Sequence, residues 1–259
     1  MGHNRLGILP KNHRWKHVID LLKKEADLPE ITRASLHAML TNFERIPKDA
    51  GFNLVLSNIF GFAAGARSGN FQEFLEESGI RLSHEAGPLD IVCGLQNKID
   101  NDLGRQRSRS DPGEIAQNAF VETMLSTSSA AQSAMFDLGR DAAINQIGGA
   151  LKGKEFAGFM HAFFTKFTSR YMKYYLSREL SNHVGPGKYF ESIDRHREFN
   201  ETLGTYISQV VRIADEFTPG WFSKANYEQN LNRESISRYS YIAFKKIISE
   251  FKRGETLDG

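Results

Sequence analysis

The chain has 259 residues, 40% hydrophobic and 25% charged, and its 33 lysines and arginines nearly balance 31 acidic residues for a net charge of +2. These values exclude a largely disordered chain and leave enough residues for a substantial core. They also argue against a dedicated nucleic-acid binder, which usually carries a larger basic excess, because affinity for phosphate comes largely from counterion release. A single cysteine and the lack of a membrane-length apolar span predict a cytoplasmic protein.

The first half of the chain predicts a series of amphipathic helices joined by short turns. Apolar residues recur at helical spacing in segments 15–22, 31–43, 52–66, 71–75 and 88–103. Cys93 lies in an apolar run, and we expect it to be a small buried residue rather than a reactive thiol. The clearest helix start is 111–114, where we expect Asp111 to be the N-cap of a helix that continues to about Leu125.

The second half predicts longer helices after a weakly patterned region. Small residues fill 126–153, and a long aromatic and basic helix follows from 156 to 182, ending at a Gly-Pro-Gly turn. The next helix should end at Pro219 and Gly220, before an aromatic loop, 221–227, that anchors to the core. A last helix is expected to turn these residues inward: Ile236, Tyr239, Ile242, Ala243 and Ile247.

Together these segments predict an all-α protein, a helical-bundle-like globular domain of about nine helices. An arrangement of two helical subdomains is the alternative. The predicted division is an N-terminal helical region at 1–125, a connection rich in small residues at 126–153, and a C-terminal helical region at 154–259.

One helix end concentrates polar groups that are unusual for a core helix. The candidate binding surface or pocket contains Arg170, Tyr171, Tyr174, Tyr175, Arg178, Glu179, Asn182 and His183. The change from phenylalanine to tyrosine along this helix indicates that its end approaches a surface, a cleft or a partner, because a phenolic hydroxyl must be hydrated or paired. The alternative is a network of ion pairs that ties this helix to the next one.

The chain lacks the sequence motifs of metal sites and phosphate-binding loops. Glu179 and His183 lie four apart, but two ligands do not make a zinc site, and the His-Glu-x-x-His arrangement is absent. No phosphate-binding loop is present, so we expect no metal and no cofactor. If the segment 156–182 binds nucleic acid, its aromatic rings would stack on bases while its basic residues contact phosphates. In the ordinary interpretation the phenylalanines fill the core and the basic residues face solvent.

The stretch from Tyr174 to Gly187 reads YYLSRELSNHVGPG and resembles one in a family of bacterial helical proteins to which no activity is attached. The resemblance implies a bacterial protein and suggests association with mobile-element or defence genes; it assigns no role to any residue. We therefore predict a non-enzymatic protein-interaction or assembly subunit with a protein partner. One alternative is a nucleic-acid-binding protein, and a second is an enzyme with a polar pocket around Arg178, Glu179 and His183. The oligomeric state is left open.

Overall fold

The computed structural model describes residues 9–24, 26–129, 139–183, 185–186 and 188–256, without the side chains of 128–129, 178–179, 181 and 254–256. In this part of the chain the structure is all-α, as predicted, and no strand occurs. Its helices are α1 (His13–Lys23), α2 (Leu28–Phe43), a 3₁₀ helix (Ile46–Lys48), α3 (Ala50–Arg67), α4 (Phe71–Glu77), α5 (Pro88–Arg105), α6 (Asp111–Ser129), α7 (Arg140–Ala150), α8 (Gly153–Ser181), α9 (Ile193–Val211), α10 (Ile213–Tyr227) and α11 (Arg233–Thr256).

The described residues form eleven α-helices rather than about nine. One additional helix, α7, lies in the region of small residues that was predicted to be a connection. Another, α10, includes the predicted aromatic loop. In both places the helical period is weak, and packing against neighbouring helices supplies the stability that the local pattern does not show.

Helix α8 lies at the centre of the packing and contacts α6, α9 and α10. Its phenylalanines are fully buried, which confirms that they fill the core: Phe156, Phe159, Phe163, Phe164 and Phe167. Phe52 of α3 joins them, with its ring centroid 4.7 Å from Phe167 and 5.4 Å from Phe244 of α11. The core is therefore a continuous set of aromatic contacts between helices that are distant in sequence.

The N-termini of α3 and α6 meet at a close crossing. A Cβ atom on Gly51 would lie 2.4 Å from Ser110 Oγ and 2.5 Å from the Ser108 carbonyl oxygen, so only glycine fits. Ser110 Oγ accepts the Gly113 N–H at 3.1 Å and donates to Asp49 Oδ1 at 2.7 Å. Asp49 Oδ1 in turn accepts the Phe52 N–H at 2.7 Å and caps α3.

The prediction that Asp111 caps α6 is therefore wrong. Ser110 occupies the cap, and Asp111 is the first residue of the helix. The short hydroxyl of Ser110 can reach two partners at once at the crowded crossing, and this leaves the Asp111 carboxylate to bond elsewhere.

The predicted helix end at Pro219 and Gly220 is also wrong, because α10 continues through both residues. The helix is interrupted earlier, at Arg212 between α9 and α10, where the Arg212 N–H bonds the Gln209 carbonyl at 3.3 Å. Phe222 is buried, and half-buried Trp221 lies with its ring centroid 4.9 Å from that of Phe60. This packing holds the helix together across a proline that removes one backbone hydrogen bond. The predicted anchoring to the core is confirmed for Trp221 and Phe222 and is wrong for Tyr227, which is 90% exposed.

Two residues predicted to be buried are exposed. Cys93 faces outward from α5, because its neighbours Val92 and Leu95 take the inward positions. Ile242 is 41% exposed, whereas the other four residues predicted to face inward from α11 are buried. Cys93 lines a groove described below. None of the described helices combines the length and hydropathy that a bilayer span requires.

Candidate functional site

The tyrosines of the predicted site lie where α8 meets the N-termini of α3 and α6. Tyr171 is only 4% exposed and packs between Phe43 and Phe167, with ring centroids 6.0 and 5.7 Å away. Tyr174 is half-buried, and its hydroxyl donates to Asp111 Oδ2 at 2.5 Å. The hydroxyls of Tyr171 and Tyr175 lie 3.4 Å apart. Tyr174 thus joins α8 to the start of α6, and Tyr171 joins it to the end of α2.

The electrostatic environment keeps Tyr171 neutral. Burial is the main cause that raises its pKa above the usual value of 10.0, and the hydrogen bond between its hydroxyl and that of Tyr175 adds to the increase. A phenol in this environment does not exchange a proton near neutral pH, so Tyr171 is suited to packing and not to acid–base chemistry.

Two of the basic residues on α8 are already engaged with α6. Arg170 Nε lies 2.7 Å from Glu122 Oε2, and Lys166 Nζ donates to the Glu122 carbonyl at 3.0 Å and to Ser126 Oγ at 2.6 Å. Burial lowers the pKa of Lys166, although Glu122 opposes the change. The nearby phenylalanines are buried and offer no face for stacking bases, so this face shows little of what a nucleic-acid strand needs.

The remaining predicted residues follow the helix end. Asn182 is exposed, and half-buried His183 accepts the Phe190 N–H on its backbone carbonyl at 2.9 Å. The side chains of Arg178 and Glu179 lie outside the described part of the structure, so a pocket that combines them with His183 stays a prediction. The structure thus brings the three tyrosines together at a helix junction and places Asn182 beyond it.

A serine, histidine and aspartate that the sequence did not single out come together between α8, α9 and α10. His161 Nδ1 lies 3.3 Å from Asp215 Oδ2, and its Nε2 lies 3.3 Å from Ser208 Oγ. The three residues are far apart in sequence and follow no motif, which is why the pattern of the chain does not reveal them. Their arrangement resembles the relay of a serine hydrolase, which is identified by geometry rather than by order.

The hydrogen bonds assign this cluster a structural role. His161 Nε2 lies closer, at 2.9 Å, to the Ser208 carbonyl oxygen, which can only accept, so the proton belongs on Nε2. A protonated Nε2 cannot take the proton of Ser208 and therefore cannot activate it. The Ser208 carbonyl is available because Arg212, four residues later, bonds Gln209 instead. His161 thus joins the end of α9 to the start of α10, where burial raises the pKa of Asp215.

The surface with the clearest binding geometry lies between α11 and the 3₁₀ helix, and we call it the α11 groove. It encloses about 480 Å³ and is lined by Glu44, Pro47, Lys48, Tyr241, Phe244, Lys245, Ile248, Ser249 and Lys252. Tyr241 is 57% exposed at its edge. Along α11 the lining residues 241, 245, 248 and 252 recur at intervals of four and three, which places them in one stripe. This spacing is visible in the sequence, but assigning Ile242 to the core concealed the exposed face beside it.

Within the described residues no group of three or more histidine, cysteine or acidic side chains could hold a metal ion. No protein-family model matches the chain, and no curated protein or solved structure matches it either.

Proposed function

We propose that this protein is a non-enzymatic protein-binding subunit of a multi-protein assembly, and that its partner places an acidic amphipathic helix in the α11 groove. The observation that supports this most is that Tyr241, a large ring that stays exposed, lines a groove with an apolar floor. Large apolar side chains that remain exposed next to a groove are typical of interaction surfaces, and tyrosine is enriched at interface hot spots.

The floor of the groove fits the apolar face of a helix. Pro47, Phe244 and Ile248 are largely buried and form its base, with Tyr241 at one end. From Tyr241 to Lys252 the stripe spans roughly 16 Å along α11 at the rise of an α-helix. About three turns of a partner helix would cover that length, with apolar residues recurring every three or four positions.

The charge at the rim selects an acidic partner. Lys48, Lys245 and Lys252 line the groove, against the single carboxylate of Glu44. None of these lysines forms an ion pair in the part of the chain that the structure describes. Acidic side chains on the partner would complement them and orient the helix. A second copy of this chain would bring the same basic face, so like charges oppose symmetric self-association here.

A photo-crosslinking experiment tests the proposal in the full chain. Tyr241 is replaced by p-benzoylphenylalanine in the native host, and Tyr227, which is 90% exposed on α10 and outside the groove, serves as the matched control position. We expect a protein adduct at position 241 alone, through a peptide with net negative charge and helically spaced apolar residues. Lys245→Glu with Lys252→Glu should reduce its yield at least tenfold without changing the helical circular dichroism.

Other outcomes would overturn the proposal. They are equal adducts at both positions, an adduct to a basic peptide or to nucleic acid, or no adduct. A nucleic acid would need the lysines but not the apolar floor, so the variant Ile248→Ala separates it from a helix. The predicted surface near Tyr175 and Asn182 stays a second candidate for contact. Because Tyr174 bonds the start of α6 and Tyr171 packs on the end of α2, substitutions of those rings would test folding as much as docking.

A further inference from the structure

We propose that a second groove, between α5 and the segment that follows α4, binds a phosphorylated, hydroxyl-rich small molecule. In this α4–α5 groove, Arg81 and Arg105 hold the phosphate. Its volume is about 610 Å³, within the range of small-molecule sites. This site shares no residue with the α11 groove, so it does not depend on the function proposed above.

The chain builds one wall of the groove by a specific helix ending. Gly79 adopts a φ of +80°, and the Ile80 N–H bonds the Leu75 carbonyl at 2.8 Å, which closes α4 in a Schellman motif. Ile80 is buried against α5, and a Cβ atom on Gly94 would lie 2.5 Å from Ile80 Cγ2. This close contact fixes the backbone of the segment against α5, and Arg81 follows directly at the groove.

The other wall is a polar stripe on α5. Cys93, Asn97, Asn101 and Arg105 recur every four residues and all line the groove. Beside this stripe, Lys98 Nζ lies 2.5 Å from Asp102 Oδ2, so that lysine is neutralised. Arg81 and Arg105 form no ion pair with any described residue, and the other carboxylate of the lining, Asp90, is engaged at the start of α5, where it accepts the Gly87 N–H at 2.8 Å.

These groups define the chemistry of the ligand. Guanidinium groups bind phosphate through paired N–H donors, and two of them can neutralise a phosphate dianion. The amides of Asn97 and Asn101 both donate and accept, which suits the hydroxyls of a sugar. An apolar ligand would leave these groups unpaired. A nucleic-acid strand carries the same phosphate and sugar chemistry, so the test must separate it from a free sugar phosphate.

The single cysteine of the chain supplies the assay. Cys93 is exposed and lines the groove, so its rate of alkylation by iodoacetamide reports whether the groove is occupied. The probes are ribose 5-phosphate, ribose, inorganic phosphate and a single-stranded oligodeoxynucleotide. We expect ribose 5-phosphate to slow alkylation at least fivefold and with saturation, inorganic phosphate to compete with it, and ribose to have no effect at the same concentration.

Variants connect this protection to the two arginines. Arg81→Gln and Arg105→Gln should each raise the half-protecting concentration of ribose 5-phosphate at least tenfold. Arg233→Gln removes an exposed arginine outside the groove and should leave it unchanged. All three side chains are exposed, so the variants are expected to fold, and circular dichroism checks this. Three results would each overturn the proposal: no protection by ribose 5-phosphate, equal protection in the arginine variants, or stronger protection by the oligonucleotide.

Discussion

Replacing Gly51 by alanine should destabilise the protein strongly, although alanine normally favours a helix. The added methyl group would lie 2.5 Å from the Ser108 carbonyl and 2.4 Å from Ser110 Oγ, so α3 and α6 must separate. Overpacking of this kind costs about 1–3 kcal/mol. Displacing Ser110 weakens the cap of α6 by about 1 kcal/mol more. The net loss should be about 2–4 kcal/mol, since the gain in helix propensity is small in the first turn.

Urea denaturation followed by circular dichroism measures this loss, and Gly61 provides the matched control. Gly61 lies on the same helix, and a Cβ atom there would meet nothing within 4 Å. Gly61→Ala should therefore stabilise the protein by about 0.5–1 kcal/mol through helix propensity. If Gly51→Ala were as stable as Gly61→Ala, the close crossing of α3 and α6 would be refuted.

Three further substitutions test other contacts. Tyr174→Phe removes the donor to Asp111 and should lower the free energy of unfolding by about 1 kcal/mol; no loss in urea denaturation would show that the bond contributes nothing. Tyr239→Phe removes a buried bond to Thr218 at 2.8 Å and should cost about 1 kcal/mol in the same assay, whereas exposed Tyr241→Phe should change little. Burial, and secondly the charge of Lys173, lower the pKa of His196 below its usual 6.5. The neutral imidazole therefore contributes stability above pH 6.5, and this contribution is lost as the pH falls. His196→Gln should lose less stability than the wild type between about pH 7 and pH 5, and parallel losses in the two proteins would contradict this.

The sequence predicted the all-α class because apolar residues recur at helical spacing wherever a helix has one buried face. The phenylalanines of α8 show this well, and Phe199, Leu203, Ile207 and Val210 form a similar buried stripe at helical spacing on α9. Local sequence patterns gave wrong helix boundaries where tertiary packing determines the structure. Pro219 lies inside a helix because Phe222 and Trp221 hold α10 against the core, and no local pattern shows such a contact.

The candidate site was harder to predict than the fold. The change from phenylalanine to tyrosine predicted that the end of α8 approaches a surface, a cleft or a partner, and the Tyr174 hydroxyl there is paired within the protein. For Tyr174, however, the partner is Asp111, 63 residues earlier in the chain, and spacing along one helix cannot reveal it. Ile242 was assigned to the core from its apolar character alone, and this concealed the exposed face of α11. The division at 126–153 and the role of Arg178 and Glu179 stay predictions.

The shared hydroxyl of Ser110 makes two distant segments dependent on each other. It joins the caps of α3 and α6, although Ser110 and Asp49 are 61 residues apart in sequence. Neither first turn can fray without removing a hydrogen-bond partner from the other, so the amides of Phe52 and Gly113 should exchange with deuterium through one common opening event. Opening of the two helix starts would then be coupled through a single serine side chain at this crossing.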